Sequence, residues 1–293
     1  MTRRSFQTKT EIRALLNAAG VRPRRRHGQH FLIDGNLMNR LLEAAELTPH
    51  DAVLEVGPGT GSLTEHLVAE AGRVIAVEID PVLLGIVQGR LADAVNATCI
   101  QGDVLSSKQH LAPAVSKALT KARRDLPGRM MLVANLPYSV ATPLLANLLL
   151  DPCGFDRFCF TVQREVADRF TASPGTKDYG PISIALQITC RVKRLAVLPP
   201  QVFWPRPAVE SAMLKTDVLR NPFGTRERLA WFMDLLRAAF AHRRKTLKYN
   251  LARIVDQGVC RTLAAEFDLT RRPESLTVDE WITLAQRIES RTD

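Results

Sequence analysis

The sequence predicts an α/β fold in which a mainly parallel sheet carries helices on both faces and a small helical domain follows it. Strand-like and helix-like patterns alternate through the first half of the chain, whereas residues 226–293 show only helical periodicity. Alternating strands and helices imply parallel strands joined by helical crossovers. We therefore divide the chain into a basic N-terminal arm at 1–30, an α/β domain at 31–220 and a helical domain at 221–293.

Seven short runs predict the strands. Most of them are rich in Val, Ile, Leu or Phe, as expected of strands buried in a sheet. Five runs alternate with helical patterns, and the last two flank a proline-rich bend. The predicted strands cover residues 52–57, 73–80, 97–103, 131–135, 157–163, 192–198 and 211–218.

Helices are predicted where apolar residues recur on one face. Asp34 is placed to cap a helix that runs to about Glu46, because four apolar side chains between them share a face. Those side chains are Leu37, Leu41, Leu42 and Ala45. Further helices are predicted at 60–71, 81–94 and 142–150, with a short one at 9–19 inside the arm and an alanine-rich helical pattern within 106–128.

The composition is that of a globular protein, with 293 residues of which 46% are apolar, enough to bury a core without staples. Five cysteines without a CxxC pair and six histidines without ligand spacing argue against a disulfide scaffold or a metal centre. We find no secretory signal and expect a cytoplasmic protein. Residues 130–150 are uncharged, but their two prolines and two asparagines favour a strand, a turn and a helix over a membrane span.

The net charge of +10 is concentrated in two segments. Residues 1–30 carry +7 and residues 220–262 carry +7, so the rest of the chain carries −4. A mildly acidic body with two basic segments indicates a polyanionic partner, and nucleic acid is favoured over a merely solvated basic surface.

The most informative local pattern is the run EVGPGTG at 55–61. A buried strand ends here in a glycine-rich turn that opens a helix, so the backbone can approach a ligand at the carboxyl edge of the sheet. Ser62 stands where the dinucleotide fingerprint has its third glycine, and no basic residue occupies the turn. Acids follow the next two strands instead, namely Glu78 and Asp103.

These acids suit a ligand with cationic groups and hydroxyls. S-adenosylmethionine fits, because it carries a sulfonium, an ammonium, a ribose diol and an adenine amine but no phosphate. Glu78, which lies 21 residues after Gly57, is placed to accept both ribose hydroxyls, and Asp103 to accept the adenine amine. The alternative is that these acids simply face solvent, since a glycine turn alone is common in α/β proteins.

The tetrad Asn135-Leu136-Pro137-Tyr138 ends the fourth predicted strand and would lie beside this cofactor. An exocyclic adenine amine is a poor nucleophile because its lone pair is delocalised into the ring. Two acceptors for its hydrogens, the Asn135 side-chain oxygen and the Leu136 carbonyl, would direct the lone pair at a methyl group. Pro137 would stiffen the turn, and Tyr138 would stack an extruded base. An ordinary turn is the alternative for these four residues taken alone.

Seven motifs in order resemble one family, the small-subunit ribosomal RNA adenine N6,N6-dimethyltransferases of the KsgA or RsmA type, over roughly residues 22–290. The motifs are RRRHGQHFL at 24–32, the glycine motif at 55–61, the acids Glu78 and Asp103, NLPY at 135–138, QREVADR at 163–169, FWPRPAVES at 203–211 and AFAHRRKTL at 239–247. The resemblance implies a Rossmann-like S-adenosylmethionine-dependent methyltransferase sheet with a small C-terminal all-helical domain.

The resemblance also implies the reaction and its site. It implies transfer of two methyl groups to each of two adjacent adenines in a hairpin loop near the 3′ end of 16S rRNA, with a role in small-subunit biogenesis. The expected cofactor is S-adenosyl-L-methionine, and the expected partners are the small ribosomal subunit and its 16S rRNA, bound by a monomer without membrane contact. The implied cofactor contacts are His30, Leu32, Gly57, Gly59, Glu78, Asp103 and Asn135. The implied catalytic residues are Asn135, Leu136, Pro137, Tyr138 and Phe203, the last as a wall of the target-base pocket.

The implied RNA contacts are Arg24, Arg25, Arg26, Arg243, Arg244, Lys245 and Lys248, where helical spacing would put several of the last four on one face.

Three departures from the family pattern and three rival functions stay open. Ser139 follows the tetrad where the family often has Asn, Glu210 replaces an Asp, and segment 106–128 is longer than is typical. A solvated helix is the favoured interpretation of that segment, with altered RNA contacts as the alternative. The rivals are the same chemistry on large-subunit RNA, as in the erythromycin-resistance methyltransferases, and a non-enzymatic ribosome-assembly or transcription factor that keeps the fold. A dinucleotide oxidoreductase is a more distant rival, because Glu55 and Ser62 do not suit it.

Overall fold

The computed structural model describes residues 5–23, 28–219 and 221–291. They form two compact units. The first unit comprises the chain up to residue 167 together with 192–218, and the second comprises 168–191 together with the chain from 219 onwards.

The described residues form twelve helices and eleven strands besides short 3-10 turns. The helices are α1 Lys9–Ala18, α2 Gly35–Ala45, α3 Thr64–Glu70, α4 Pro81–Arg90, α5 Pro113–Asp125, α6 Ala141–Leu150, α7 Arg164–Phe170, α8 Pro181–Thr189, α9 Arg226–Ala239, α10 Leu247–Leu251, α11 Gln257–Glu266 and α12 Val278–Glu289. The strands are β1 Phe31–Leu32, β2 Ala52–Val56, β3 Arg73–Glu78, β4 Ala97–Gln101, β5 Leu105–Ser107, β6 His110–Leu111, β7 Met130–Asn135, β8 Arg157–Gln163, β9 Cys190–Leu198, β10 Phe203–Trp204 and β11 Ser211–Val218.

The main sheet has seven strands in the order β4-β3-β2-β7-β8-β11-β9. The neighbours from β4 to β8 run parallel, and β11 runs antiparallel to β8. The predicted α/β fold class is confirmed, and each of the seven predicted strands is present. Parallel pairing brings the carboxyl ends of β2, β3, β4 and β7 to one edge of the sheet.

The core explains why the sequence predicts these strands so well. Every residue of β2 and the first five residues of β7 are buried. Helix α2 packs on β7, β8 and β11, while α3, α4 and α5 pack on β3. Strands covered on both faces become continuous apolar runs. Leu41 of α2 is fully buried, and its replacement by Ala would cost about 2–5 kcal/mol.

The N-terminal segment differs from the predicted arm. Helix α1 begins with a capping box between Thr8 and Glu11, and its buried residues Ile12 and Leu16 pack against Leu83 of α4. The described part of the arm is therefore built into the first unit, because the apolar face of α1 has a buried partner. Helix α5 likewise buries one face through Val115, Leu119 and Ala122, so the 106–128 segment is more than a solvated helix.

Residues 168–191 belong with the helical unit rather than with the predicted α/β domain. Seven of the nine residues of α8 are buried, and α8 packs against α9 and α12. A helix that is apolar all round lacks the amphipathic pattern that identifies surface helices, so the sequence did not predict it. Among the described helices, none combines the length and the hydrophobicity needed to cross a membrane.

Candidate active site

A cavity of about 550 Å³ opens in the first unit at the edge where β2, β3 and β7 end. Open α/β sheets bind ligands in crevices at the carboxyl ends of their parallel strands. All seven predicted cofactor residues line the cavity, namely His30, Leu32, Gly57, Gly59, Glu78, Asp103 and Asn135. The topology thus brings together residues that are up to 105 positions apart in the chain.

The glycine turn owes its shape to positive φ angles. The φ angles are 73° at Gly57, 62° at Gly59 and 84° at Gly61, a region that L side chains rarely adopt. A Cβ atom at Gly57 would lie 3.1 Å from the Pro137 side chain, and one at Gly59 would lie 2.8 Å from the Phe31 ring. Glycine therefore allows the turn to lie directly against the tetrad and β1.

Gln7 holds this turn from the outside, a contact that the sequence did not reveal. Its side chain donates to the Thr60 carbonyl at 3.0 Å and accepts from the Thr60 hydroxyl at 2.6 Å. Its backbone N–H donates to the Ser62 hydroxyl at 3.1 Å. Ile12 of α1 lines the cavity as well, so the segment before residue 20 both fixes and covers the turn.

Glu78 and Asp103 both keep acceptor capacity toward the cavity. The Glu78 carboxylate accepts from the Gly59 N–H at 3.1 Å and from the Asp80 N–H at 3.0 Å, which leaves lone pairs on both oxygens. Burial raises the pKa of Glu78 above its ordinary range, although these two backbone hydrogen bonds act to lower it. Asp103 is exposed and uses one oxygen to accept from the Leu105 N–H at 2.9 Å.

Glu55 adds a second buried carboxyl group to the same wall. It is 2% exposed, and its Oε2 atom has no hydrogen-bond partner among the described residues. Burial, with a smaller contribution from the neighbouring Glu78, raises the pKa of Glu55 to about 8. A cation placed in the cavity would stabilise the ionised form of this carboxyl group.

Asn135 is held in one orientation by two neighbours. Its amide nitrogen donates to the His30 carbonyl at 2.8 Å, and its amide oxygen accepts from the Thr161 hydroxyl. A flipped amide would place two oxygens against each other at His30, so the carbonyl there decides the orientation. Thr161 lies opposite Asn135 in the β7–β8 register, and the sequence did not identify it as a site residue.

Tyr138 supplies the aromatic ring of the tetrad. Its hydroxyl lies 2.9 Å from the Ser211 hydroxyl, and its ring stacks on the His30 ring with the centroids 5.4 Å apart. The His30 Nδ1 atom lies 2.7 Å from the Pro205 carbonyl, so Nδ1 carries the proton because a carbonyl only accepts. These contacts hold the Tyr138 ring in place.

Of the five predicted catalytic residues, Asn135 and Pro137 line the cavity, whereas Leu136, Tyr138 and Phe203 are not part of its wall. The side chains of Leu136 and Phe203 are buried, at 2% and 1% exposed. The predicted role of Leu136 uses its backbone carbonyl, so the burial of its side chain does not decide that role. Phe203 pairs with Leu32 between β10 and β1 and packs in the core cluster that includes Met213. The predicted role of Phe203 as a wall of the base pocket does not match its position in this structure.

The charges of the cavity favour a cationic ligand over a phosphate. The buried carboxyl groups of Glu55 and Glu78 line it, and Lys108 on the β5–β6 hairpin is the one Lys or Arg among the described wall residues. A pyrophosphate here would face carboxylates with little compensation. A sulfonium and an ammonium would be stabilised by them. The hydrogen-bond acceptors, the glycine turn and the volume of the cavity therefore fit S-adenosylmethionine.

Comparison with known proteins identifies the family. The model of the ribosomal RNA adenine dimethylase family matches residues 20–290. The chain belongs to this family. Ribosomal RNA small subunit methyltransferase A of Lactiplantibacillus plantarum is 39% identical over 287 residues, which cover 94% of this chain and 93% of that protein. The protein of the same name from a Geobacillus species is 36% identical and covers 98% of both chains.

Solved structures share the fold of this dimethylase-family chain. A dimethyladenosine transferase from Plasmodium falciparum superposes with a TM-score of 0.72 at 22% identity, over 89% of this chain and 98% of that one. The 23S rRNA methyltransferase ErmE superposes with a TM-score of 0.61 at 23% identity, over 88% and 99%. The family resemblance inferred from the seven motifs is confirmed.

The predicted RNA contacts in the second unit divide into two groups. Arg243 donates to the Thr176 carbonyl at 2.9 Å and to the Lys177 carbonyl at 2.5 Å, so it clips a neighbouring loop within its unit. Residues 241–245 form turns rather than the predicted helical face. Arg244, Lys245 and Lys248 are exposed. Arg24, Arg25 and Arg26 lie outside the described residues.

Proposed function

We propose that this protein dimethylates the N6 amino groups of two adjacent adenines in the 3′-terminal hairpin loop of 16S rRNA, with S-adenosylmethionine as the methyl donor. The observation that carries the proposal is the cavity itself, where the clamped Asn135 amide lies on the same wall as the Glu78 carboxylate. One wall thereby offers acceptors for a nucleoside cofactor and for the amine to be methylated.

The cofactor would be held by the two acids at the strand ends. Glu78 keeps lone pairs for the ribose hydroxyls, and Asp103 keeps an oxygen for the adenine amine. Glu55 would face the positive charge of the methionine end. The bound cofactor supplies an electrophilic methyl group next to a sulfonium, and the protein's part is to orient the acceptor base.

Asn135 and its neighbours would prepare the adenine amine for attack. The Asn135 oxygen and the Leu136 carbonyl accept its two hydrogens, so the nitrogen becomes pyramidal and its lone pair points at the methyl carbon. The bound cofactor would supply the methyl carbon and would keep the electron pair of its C–S bond, while Asn135 and Leu136 would hold the amine nitrogen in line with that carbon. The resulting ammonium loses a proton to water, so no strong base is needed. The Tyr138 ring offers a face for the extruded base.

The choice of ribosomal subunit rests on the curated relatives. ErmE, whose name gives 23S rRNA as its substrate, shares the fold at 23% identity, and fold alone does not assign a substrate. The relatives at 36–39% identity carry the name small subunit methyltransferase A and match this chain over nearly its whole length. These relatives favour the small subunit.

The test is methyl transfer from labelled S-adenosylmethionine to under-methylated small subunits, with large subunits and protein-free 16S RNA in parallel. We expect label on the small subunit and none on the large subunit. Label on the large subunit alone would overturn the substrate proposal. Tight binding to small subunits without any label would support the rival assembly factor.

A further inference from the structure

Tyr249 on α10 is a large aromatic side chain left at the surface of the second unit. It is 43% exposed. The Lys245 ammonium lies 5.7 Å from the ring centre, and the Arg253 guanidinium carbon lies 5.8 Å from it. His242 packs edge-on against the same ring, with centroids 5.5 Å apart. An exposed ring with two cations close to it has the features of a nucleotide-binding surface.

The cations near this ring are not neutralised by acids. Arg244, Lys245, Lys248 and Arg253 are exposed, and none of them has an ion pair among the described residues. Several other cations of the same unit are paired. These pairs are Arg228 with Glu289, Arg237 with Asp234, Arg271 with Glu280, and Arg287 and Arg291 with Glu266. Unpaired cations are free to bind phosphates.

The ring is mounted on a fixed part of the unit. Asn250, which is 1% exposed, accepts from the His242 N–H at 3.2 Å and donates to the carbonyls of His242 and Thr246 at 3.3 and 3.1 Å. The N–H group of Leu247 donates to the Arg271 carbonyl, and that of Lys248 donates to the Leu269 carbonyl. This backbone is therefore positioned before any partner binds, which lowers the entropic cost of binding.

We propose that Tyr249 and Arg253 bind an unpaired nucleotide of RNA together with Arg244, Lys245 and Lys248, which the family resemblance already implied as RNA contacts. These five residues are here called the Tyr249 surface. The base stacks on the Tyr249 ring, and the cations contact the phosphates on either side. This proposal deepens the proposed function and rests on it, because it assigns to the second unit a contact with the RNA substrate outside the cavity. Stacking requires an unpaired base, so a single strand is preferred to a duplex.

The test measures how tightly the full chain binds a labelled single-stranded oligoadenylate and a duplex of the same length, as a function of salt. We expect tighter binding to the single strand. Tyr249→Ala should weaken that binding roughly 5- to 150-fold without changing the salt dependence, because the ring carries no charge. Lys245→Ala and Arg253→Ala should each reduce the slope of log K against log salt by about 0.7.

Two further variants guard against misfolding. Tyr249→Phe should bind the single strand like the unmodified chain, and Tyr249→Leu should bind like Tyr249→Ala, since it keeps bulk but lacks a π face. Equal RNA affinity of Tyr249→Ala and the unmodified chain would overturn the Tyr249 surface, as would a complete lack of RNA binding by the unmodified chain. Methyl transfer to small subunits, measured in parallel, separates the two proposals. If the unmodified chain methylates small subunits while Tyr249→Ala binds RNA normally, only the Tyr249 surface is wrong.

Discussion

The Thr161 hydroxyl donates a hydrogen bond to the side-chain oxygen of Asn135, the atom proposed to accept a hydrogen from the target amine. Thr161 is 1% exposed, and it lies opposite Asn135 in the register of β7 and β8. On the other side of the amide, the His30 carbonyl accepts from the nitrogen at 2.8 Å. The sheet thus aims the Asn135 oxygen from behind, so Thr161 acts as a positioning residue.

Thr161→Val should lower kcat by about 5- to 30-fold, because loss of one hydrogen bond worth about 1–2 kcal/mol frees the amide to leave its productive orientation. The affinity for S-adenosylmethionine should change little. Thr161→Ser keeps the hydroxyl and should restore most of kcat. Single-turnover methyl transfer together with calorimetry measures both quantities. A Ser variant as slow as the Val variant would show that packing, not the hydroxyl, matters at this position.

Glu78→Gln should weaken cofactor binding. A charged acceptor contributes about 1.5–3 kcal/mol per hydrogen bond, so loss of one bond to the ribose corresponds to roughly 10- to 150-fold in Kd. Glu65→Gln is the matched control, because Glu65 is paired with Arg90 on the surface and does not line the cavity. Unaltered affinity of the Glu78 variant by calorimetry would refute the ribose assignment.

Glu55 should make the stability of the unliganded protein depend on pH. Burial raises its folded-state pKa to about 8, above the unfolded value. Between the two pKa values, the folded state therefore keeps Glu55 protonated while the unfolded state is ionised. The stabilisation from this proton is complete at acid pH and is lost as the pH rises toward 8.

Glu55→Gln replaces this titratable carboxyl group with an amide that stays neutral. The variant should gain stability relative to the unmodified chain between pH 6 and 8, by up to about 1.4 kcal/mol per pH unit. Denaturation curves at several pH values measure the difference. Parallel stability profiles for the two proteins would mean that Glu55 is already ionised in the folded state.

Arg243 and Arg244 should behave differently although they are neighbours. Arg243→Ala removes two hydrogen bonds to backbone carbonyls and should lower the free energy of unfolding by about 1–3 kcal/mol. Arg244→Ala should leave stability unchanged and reduce the salt dependence of RNA binding. Each variant is the control for the other in thermal melts and salt titrations. Weaker RNA binding with normal stability in the Arg243 variant would reverse these assignments.

The parallel sheet and the cavity wall could be predicted from sequence because their signals are local. Buried strands are continuous apolar runs, and the carboxyl ends of parallel strands meet at one edge, so Gly57, Glu78 and Asn135 could be placed together from their positions in the chain. The predicted cofactor residues followed from the motifs and their family. Their roles in binding remain proposals.

The remaining features depend on contacts that no local pattern encodes. Gln7 bonds to a turn 53 residues away, and Thr161 meets Asn135 only through strand register. Arg243 and Arg244 are adjacent and identical in the sequence, so no local pattern distinguishes them. In the fold, Arg243 donates to the carbonyls of Thr176 and Lys177. Phe203 occupies a motif position, yet the β1–β10 pairing turns it toward the core.

The most direct test of the proposed dimethylation is to determine the identity and position of methylated nucleosides in small subunits incubated with S-adenosylmethionine and the protein. We expect N6,N6-dimethyladenosine at two adjacent adenines of the 3′-terminal hairpin. We also expect a severe loss of this product with Asn135→Ala, which should still bind the cofactor. Methylation of another base or position, or undiminished dimethylation by the Asn135 variant, would contradict the proposal.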